Sequence, residues 1–168
     1  KGLSAGVLPV SMVACSDELL SFFEENSPGY GSTYSNRPVA LAAAYETVKH
    51  VLEHNVVDKV AAIAPFFRQN MEWLVERHPS ILQSRSVGLF GCLDTVKPSG
   101  EIPQHGHEGR CDAFSTYLGA MRAEGLIGLC RPPLIHVAPP LVISEEELAD
   151  GFMRHSRALE VMDRELGF

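Results

Sequence analysis

Three side chains in this sequence carry groups that could act on small anionic molecules: the amine of Lys1, the hydroxyl of Thr33 and the guanidinium of Arg131. An amine can form an imine with an aldehyde, a loop hydroxyl can donate to a dianion, and a guanidinium can clamp a carboxylate. Each residue also has an ordinary alternative. A terminal lysine is usually solvated, a turn threonine often bonds its own backbone, and a surface arginine often pairs with an acid.

Metal and disulfide chemistry have weaker support in the sequence. The segment HGHEGRC contains four residues of metal-ligating type, namely His105, His107, Glu108 and Cys111. They lie in a glycine-rich polar loop without a second ligand pair, so we expect no metal site there. The four cysteines are scattered without CxxC spacing, which favours reduced thiols over a zinc site or a disulfide scaffold.

The composition is that of a globular chain large enough to bury a core. It has 168 residues, 45% hydrophobic and 21% charged, with a formal net charge of −7. Basic residues are not clustered, so we expect no nucleic-acid partner. No apolar run approaches the length of about 18 residues that crosses a bilayer, so we expect no membrane partner. The expected compartment is the cytoplasm or the mitochondrion.

The first third of the sequence predicts one strand and two helices that could position Lys1 and Thr33. Residues 7–14, VLPVSMVA, are short and apolar, as in a buried strand. Ser16 is a suitable cap for a helix with acidic residues in its first turn, and Pro38 is suited to the first turn of the next. That second helix runs to about residue 54, with an apolar stripe at Leu41, Tyr45, Val48 and Leu52.

The remaining elements alternate between helices and strands. We predict a helix over 57–76, interrupted by a kink or restart at Pro65, and a strand over 86–96. A helix over 112–124 and short strands within 126–131 and 134–143 follow. Ser144 and Glu147 form a capping box at the start of the last helix, where His155 falls on the apolar face as a satisfied core histidine.

This order predicts an α/β fold with a smaller α+β domain at its end. An isolated strand over 7–14 cannot satisfy its own edges. We therefore expect residues 1–50 to be the remnant of a larger domain with a connecting helix, and residues 51–168 to form a small α/β domain.

Three separated segments resemble the class III aminotransferases. KGLSAGVLPVSMVAC resembles their Lys-Gly-x-(small)-x-Gly-x-x-Pro segment, and YGSTYSNRPVALAAA resembles their His-Gly-x-Thr-x-Ser-Gly-His-Pro segment. GLIGLCRPP with VAPPLVISEEELADGF resembles their closing run of Arg, Pro-Pro-Leu and a capped helix. In the second segment Tyr30 stands where the family has histidine, and Asn36 and Arg37 stand where it has Gly-His.

The resemblance implies a dimeric fold type I enzyme that uses pyridoxal 5′-phosphate (PLP). It implies that Lys1 forms the Schiff base with the cofactor aldehyde and later shuttles a proton. Thr33 matches the threonine that bonds the cofactor phosphate from the neighbouring subunit, which makes a homodimer the expected assembly. Arg131 matches the arginine that holds a substrate carboxylate. No metal is implied.

The implied reaction moves an amino group between a small amino donor and a 2-oxo acid. The favoured donors are ω-amino acids such as β-alanine, taurine or 4-aminobutyrate. The sequence looks like the C-terminal portion of a longer enzyme, a fragment that begins at the catalytic lysine, so we expect these residues alone to be inactive. A mutase or decarboxylating member of the same family, or a non-catalytic dimerisation module, are the alternatives.

Overall fold

The computed structural model describes residues 1–103 and 112–168. These residues form two compact units, residues 1–57 and residues 58–168. The candidate metal ligands His105, His107, Glu108 and Cys111 lie outside the described residues. No helix in the described ranges combines the length and apolarity that a membrane span requires.

The first unit contains two α-helices whose starts are set by local sequence. Its elements are a short 3₁₀ helix (Gly2–Ser4), α1 (Asp17–Glu25) and α2 (Pro38–Glu53). The hydroxyl of Ser16 accepts the Leu19 N–H at 3.4 Å, as expected of a helix cap. Pro38 is the first residue of α2, where its missing N–H costs nothing. Both predicted helix starts are confirmed.

The predicted strand over residues 7–14 is wrong. The segment has no regular secondary structure, and Val7, Met12 and Val13 are exposed. An extended segment becomes a strand only when a neighbouring strand takes its backbone hydrogen bonds, and the first unit contains no strand. The apolar stripe of α2 is also largely exposed. Apolar composition alone therefore does not predict burial correctly in this unit.

Three helices and four strands make up the rest of the described residues. The helices are α3 (Val56–Arg77), α4 (Asp112–Ala123) and α5 (Glu145–Leu166). Helix α3 continues through Pro65, so the predicted restart is wrong, although the helix lacks one backbone donor at that residue. The capping box at Ser144 and Glu147 is present in both directions, which confirms the predicted start of α5.

The four strands form one antiparallel sheet in the order β1-β2-β4-β3. The strands are β1 (Ile81–Val87), β2 (Phe90–Thr95), β3 (Leu129–Arg131) and β4 (Leu134–Val137). The single strand predicted over 86–96 is wrong, because a tight turn at Gly88 (φ 56°) and Leu89 splits this region into a hairpin. Glycine adopts this positive φ without the steric penalty that a side chain brings.

The core of the second unit lies where its helices meet the sheet. Gly91 of β2 allows close contact, since a Cβ there would lie 2.8 Å from Met71 and 2.9 Å from Phe67 of α3. The largest fully buried apolar side chains are Tyr117, Phe67, Met71, Leu74, Leu93, Ile135, Leu159 and Met162. They come from all three helices, β2 and β4, so a single core fixes the sheet on which Arg131 stands.

A buried polar network joins the end of α3 to α5. Nδ1 of His78 donates to Oδ2 of Asp163 at 2.8 Å, and its Nε2 lies 2.7 Å from Oγ of Ser156. The backbone N–H of Ser80 donates to the same carboxylate at 3.2 Å, and its hydroxyl also bonds it. Burial raises the pKa of Asp163, but the hydrogen bonds from His78 and Ser80 outweigh burial and bring the pKa below its usual value.

His155 is the satisfied core histidine that the sequence predicts. The hydroxyl of Tyr117 lies 2.5 Å from its Nε2, within hydrogen-bond distance, and both residues are buried. Burial, followed by the nearby His78, lowers the pKa of His155 to about 4. The imidazole is therefore neutral at ordinary pH, and its hydrogen bond to Tyr117 joins α4 and α5.

Candidate functional site

Lys1 has a backbone held by its own turn and a side chain left accessible. Its carbonyl accepts the N–H of Ser4 at 3.4 Å and that of Gly6 at 3.0 Å. Ala5 (φ 50°) and Gly6 (φ 77°) supply the positive φ values that close the turn. Ser4 is buried, and its hydroxyl donates to the carbonyl of Leu8 at 2.5 Å. The amine is exposed and forms no ion pair with another described residue.

Thr33 lies in an exposed turn just before α2. The N–H of Ser35 donates to the carbonyl of Ser32 at 3.0 Å, so Thr33 occupies the interior of the turn. The guanidinium of Arg37 stacks over the ring of Tyr34 at 5.2 Å from its centroid, which fixes the exit from the turn. The hydroxyl of Thr33 is on the surface, where it can donate to an anion.

Asn36 preserves the backbone geometry of this loop. It stands where the resembled family has glycine, and it adopts φ 56°, in the left-handed region. Asparagine is one of the few residues other than glycine that enter this region readily. The exchange therefore changes the side chain without requiring a different turn.

Arg131 is the last residue of β3 and points away from the core. It pairs directly with Leu134 of β4, which in turn pairs with Asp94 of β2, and Asp94 pairs with Gln83 of β1. Directly paired residues of antiparallel strands share a face. The row Gln83, Asp94, Leu134 and Arg131 therefore crosses the whole sheet on one face. We call this the outer face, because Leu93 and Ile135, which alternate with row residues, are in the core.

The single carboxylate of this row is fully engaged by neighbours on β1. Nε2 of Gln83 donates to Oδ2 of Asp94 at 2.6 Å, and a guanidinium nitrogen of Arg85 donates to Oδ1 at 2.5 Å. The Asp94 side chain is 12% exposed and that of Arg85 is 59% exposed. The hydrogen bond and the charge of Asp94 raise the pKa of Arg85. Arg131 forms no ion pair with any described residue.

Cys92 lies beside this ion pair on the same face. It pairs with Arg85 on one side and with His136 on the other. Burial and then the charge of Asp94 raise the pKa of the Cys92 thiol, and Arg85 only partly offsets them. The thiol stays protonated at ordinary pH, which makes it a poor nucleophile.

The second unit also contains a cavity of about 380 Å³. It lies between residues 125–128, residues 136–140 and the first turns of α5, and neither Lys1, Thr33 nor Arg131 lines it. One lining residue, His136, has a buried Nδ1 with no hydrogen-bond partner among the described residues. The cavity therefore does not coincide with the predicted site.

The donor groups present fit a phosphate-bearing aldehyde. Lys1 offers an accessible primary amine, and Thr33 offers an exposed hydroxyl in the turn before α2. Lys1 and Thr33 belong to the first unit and Arg131 to the second. The roles of the three residues in one site therefore remain predictions.

Sequence reasoning missed the engaged carboxylate of Asp94 and its two partners. Gln83 and Arg85 alternate with Ser84, a pattern that indicates one face of a strand. Their contact with Asp94 depends on the register of the β1–β2 hairpin, including a bulge between residues 81 and 83. Local pattern contains no information on that register, so only the alternation could have been noticed.

Comparison with known proteins identifies the family. The model of the family Aminotransferase class-III matches residues 1–159. The chain belongs to the class III aminotransferases. The match includes Lys1, Thr33 and Arg131, so the family resemblance drawn from three motifs is confirmed over nearly the whole chain.

Individual aminotransferases are identical to this chain at about a third of the aligned positions. The chain is 32% identical over 142 residues to the putrescine–pyruvate aminotransferase of Pseudomonas aeruginosa, covering 80% of this chain and 31% of that protein. It is 32% identical over 164 residues to the mitochondrial ornithine aminotransferase of Oryza sativa subsp. japonica, covering 95% of this chain and 32% of that protein. The chain thus spans about a third of the length of these curated relatives.

A solved structure confirms the fold. The taurine:2-oxoglutarate aminotransferase of Bifidobacterium kashiwanohense, solved in complex with PLP and glutamate, superposes with a TM-score of 0.89 at 27% identity. The alignment covers 99% of this chain and 37% of that one. The predicted fold class, mixed helix and strand as in the C-terminal part of a fold type I aminotransferase, is therefore confirmed. The cofactor expected from the family is the one bound in that structure.

Proposed function

We propose that this chain forms part of a PLP-dependent aminotransferase that moves an amino group from an ω-amino donor to a 2-oxo acid. The observation that carries the proposal is the family match over residues 1–159, which includes all three predicted site residues. Each of the similar proteins described above is an aminotransferase.

The chemistry of the named substrates supports an ω-amino donor. Putrescine, ornithine and taurine, which give three similar proteins their names, each carry a primary amine at the end of an unbranched chain. Ornithine and taurine also carry an acidic group at a distance from that amine. A donor with a terminal amine and a remote acidic group would suit both the imine chemistry proposed for Lys1 and the carboxylate binding proposed for Arg131. β-Alanine, taurine and 4-aminobutyrate have this form.

Lys1 would hold the cofactor covalently and move the proton. When bound, PLP supplies an aldehyde that reacts with amines and a ring that accepts electrons. Nζ of Lys1 would hold this aldehyde group and, once its amine is free, would accept a proton from the carbon that bears the donor amine. The turn from Lys1 to Gly6 supports this role, because it fixes the backbone while the side chain can move.

Arg131 and Thr33 would orient the two anionic groups. The guanidinium of Arg131 would bind the substrate carboxylate through two parallel hydrogen bonds, which fix direction as well as charge. The hydroxyl of Thr33 would donate to the cofactor phosphate of the neighbouring subunit in a homodimer. Its exposed position in the turn before α2 supports a contact outside its own subunit.

The proposal is tested by amino-group transfer in the full-length protein with PLP. β-Alanine, taurine and 4-aminobutyrate serve as donors and pyruvate or 2-oxoglutarate as acceptor, and the alanine or glutamate formed is measured. We expect product with at least one donor and a rate loss of at least ~10²-fold in Lys1→Ala, the scale of lost acid–base catalysis. A Lys1→Ala protein that keeps its fold and the wild-type rate would exclude the proposed role.

A further inference from the structure

We propose that Arg85 and Gln83 hold the Asp94 carboxylate and thereby keep Arg131 free to bind the substrate carboxylate. Arg85 and Gln83 are then positioning residues for a reaction in which they touch no reacting atom. This inference rests on the proposed function of Arg131. It concerns only residues of the second unit.

The register of the sheet sets up a competition for Arg131. Asp94 and Arg131 both pair directly with Leu134 from opposite sides, so they are next-but-one neighbours on the outer face. Two strand spacings separate their backbones by about 10 Å. A long arginine side chain can cross an apolar neighbour such as Leu134 with its stem while its charged end reaches a partner. An uncompensated Asp94 would therefore attract the same guanidinium that the substrate needs.

The structure shows how this competition is avoided. Both oxygens of Asp94 are engaged, one by Gln83 at 2.6 Å and the other by Arg85 at 2.5 Å. The Asp94 side chain is 12% exposed, so its carboxylate depends on these partners more than a solvated one would. Gln83 and Arg85 both stand on β1, on the side of Asp94 away from Arg131. The negative charge is thus neutralised from the far side of the sheet.

The test uses steady-state turnover of the full-length holoenzyme with the 2-oxo acid acceptor at saturation. We compare a donor with a carboxylate, such as β-alanine, with an amine that has none, such as putrescine. In Arg85→Met we expect KM to rise roughly 2- to 15-fold for β-alanine only, the range of a unit-charge interaction at about 10 Å. We expect kcat to stay within about twofold, because the positioning residue touches no reacting atom.

Two further variants separate positioning from general damage. Arg85→Lys keeps a positive charge beside Asp94, so we expect its KM for β-alanine to be near that of the wild type. Adding Asp94→Asn to Arg85→Met removes the competing charge. We expect the double variant to return KM for β-alanine to near its wild-type value. Arg85→Gln, which is neutral but retains an amide donor, replaces Arg85→Met if thermal melting shows that the latter does not fold.

The outcomes distinguish this inference from the proposed function. If Arg131→Met raises KM for β-alanine and Arg85→Met does not, the positioning inference is wrong and the role of Arg131 stands. Equal changes in KM for β-alanine and putrescine, or a double variant that fails to recover, also overturn the inference. If Arg131→Met leaves KM for β-alanine unchanged, the carboxylate role of Arg131 is wrong, and the inference fails with it.

Discussion

At the scale of single residues, the motifs predict roles for Lys1, Thr33 and Arg131, but they do not predict the local structure around each residue. The turn that holds the Lys1 backbone needs positive φ at Ala5 and Gly6, and only the glycine is evident from the sequence. The pair of Arg85 with Asp94 joins residues nine positions apart in a hairpin. It depends on the pairing of two strands, which residue type alone does not reveal.

Thr33 provides a prediction at this scale. Thr33→Ala removes one donor to the cofactor phosphate, so we expect the Kd for PLP in the full-length protein to rise roughly 10-fold, as for one lost hydrogen bond to a charged group. Thr33→Ser keeps the hydroxyl and is the matched control, with a Kd near the wild-type value. Fluorescence titration with PLP measures both. Equal affinity of the alanine and serine variants would contradict the assignment.

At the scale of elements, helices with local start signals were predictable, and β3 and β4 fall within the segments 126–131 and 134–143 predicted as short strands, whereas the two strand predictions nearer the start of the chain were wrong. Ser16, Pro38 and the Ser144–Glu147 box act within one turn of their own chain, and each begins a helix in the structure. Residues 7–14 have strand-like composition but lack a pairing partner. Residues 86–96 contain the Gly88 turn, which converts one predicted strand into two strands of a hairpin.

The network around Asp163 should contribute more to stability than an exposed pair on the same helix. Asp163→Ala leaves buried donors of His78 and Ser80 without their acceptor, so we expect a loss of about 2–4 kcal/mol in the free energy of unfolding. Glu160→Ala is the matched control, because its pair with Arg77 at 3.7 Å is about half exposed, and we expect a change below ~0.5 kcal/mol. Urea unfolding measures both, and equal losses would contradict this account.

His155 predicts a specific dependence of stability on pH. Its pKa is about 4 in the folded chain, against about 6.5 when unfolded, so the unfolded state binds more protons between these values. This contribution is complete above pH 6.5 and is lost as the pH falls toward 4. It should amount to about 2 kcal/mol between pH 7 and pH 5.

The comparison with His155→Gln isolates this effect from other titrating groups. The glutamine amide can still form a hydrogen bond with the Tyr117 hydroxyl but does not titrate in this range. We therefore expect the variant to lose about 2 kcal/mol less than the wild type when urea unfolding is repeated at pH 5. Parallel losses in the two proteins would show that His155 does not titrate as described.

At the scale of the whole molecule, the order of the motifs predicted the family and the fold class, but the sequence did not predict the order of the strands in the sheet. The strand order β1-β2-β4-β3 places β2 beside β4 although α4 and β3 lie between them in sequence. That order creates the outer-face row from Gln83 to Arg131. The apolar stripe on α2 was predicted correctly as a pattern but is exposed in the structure. An amphipathic pattern predicts an apolar face without identifying what covers it.

The proposed homodimer predicts complementation between two variants that are each deficient at limiting PLP. In a hybrid of Lys1→Ala and Thr33→Ala subunits, one site would contain intact Lys1 from one subunit and intact Thr33 from the other. At limiting PLP, random mixing should therefore restore about a quarter of wild-type activity, since half the dimers carry one complete site. Activity no higher than the mean of the separate variants would indicate that Thr33 does not act across subunits.

The most direct test of the central claim is covalent trapping at Lys1. The full-length protein is incubated with PLP, reduced with borohydride and digested, and the peptides are analysed by mass spectrometry. Our account predicts a reduced cofactor adduct on Nζ of Lys1 that is absent from Lys1→Arg. A protein that binds PLP but gives no adduct at Lys1, or gives it on another lysine, would contradict the account.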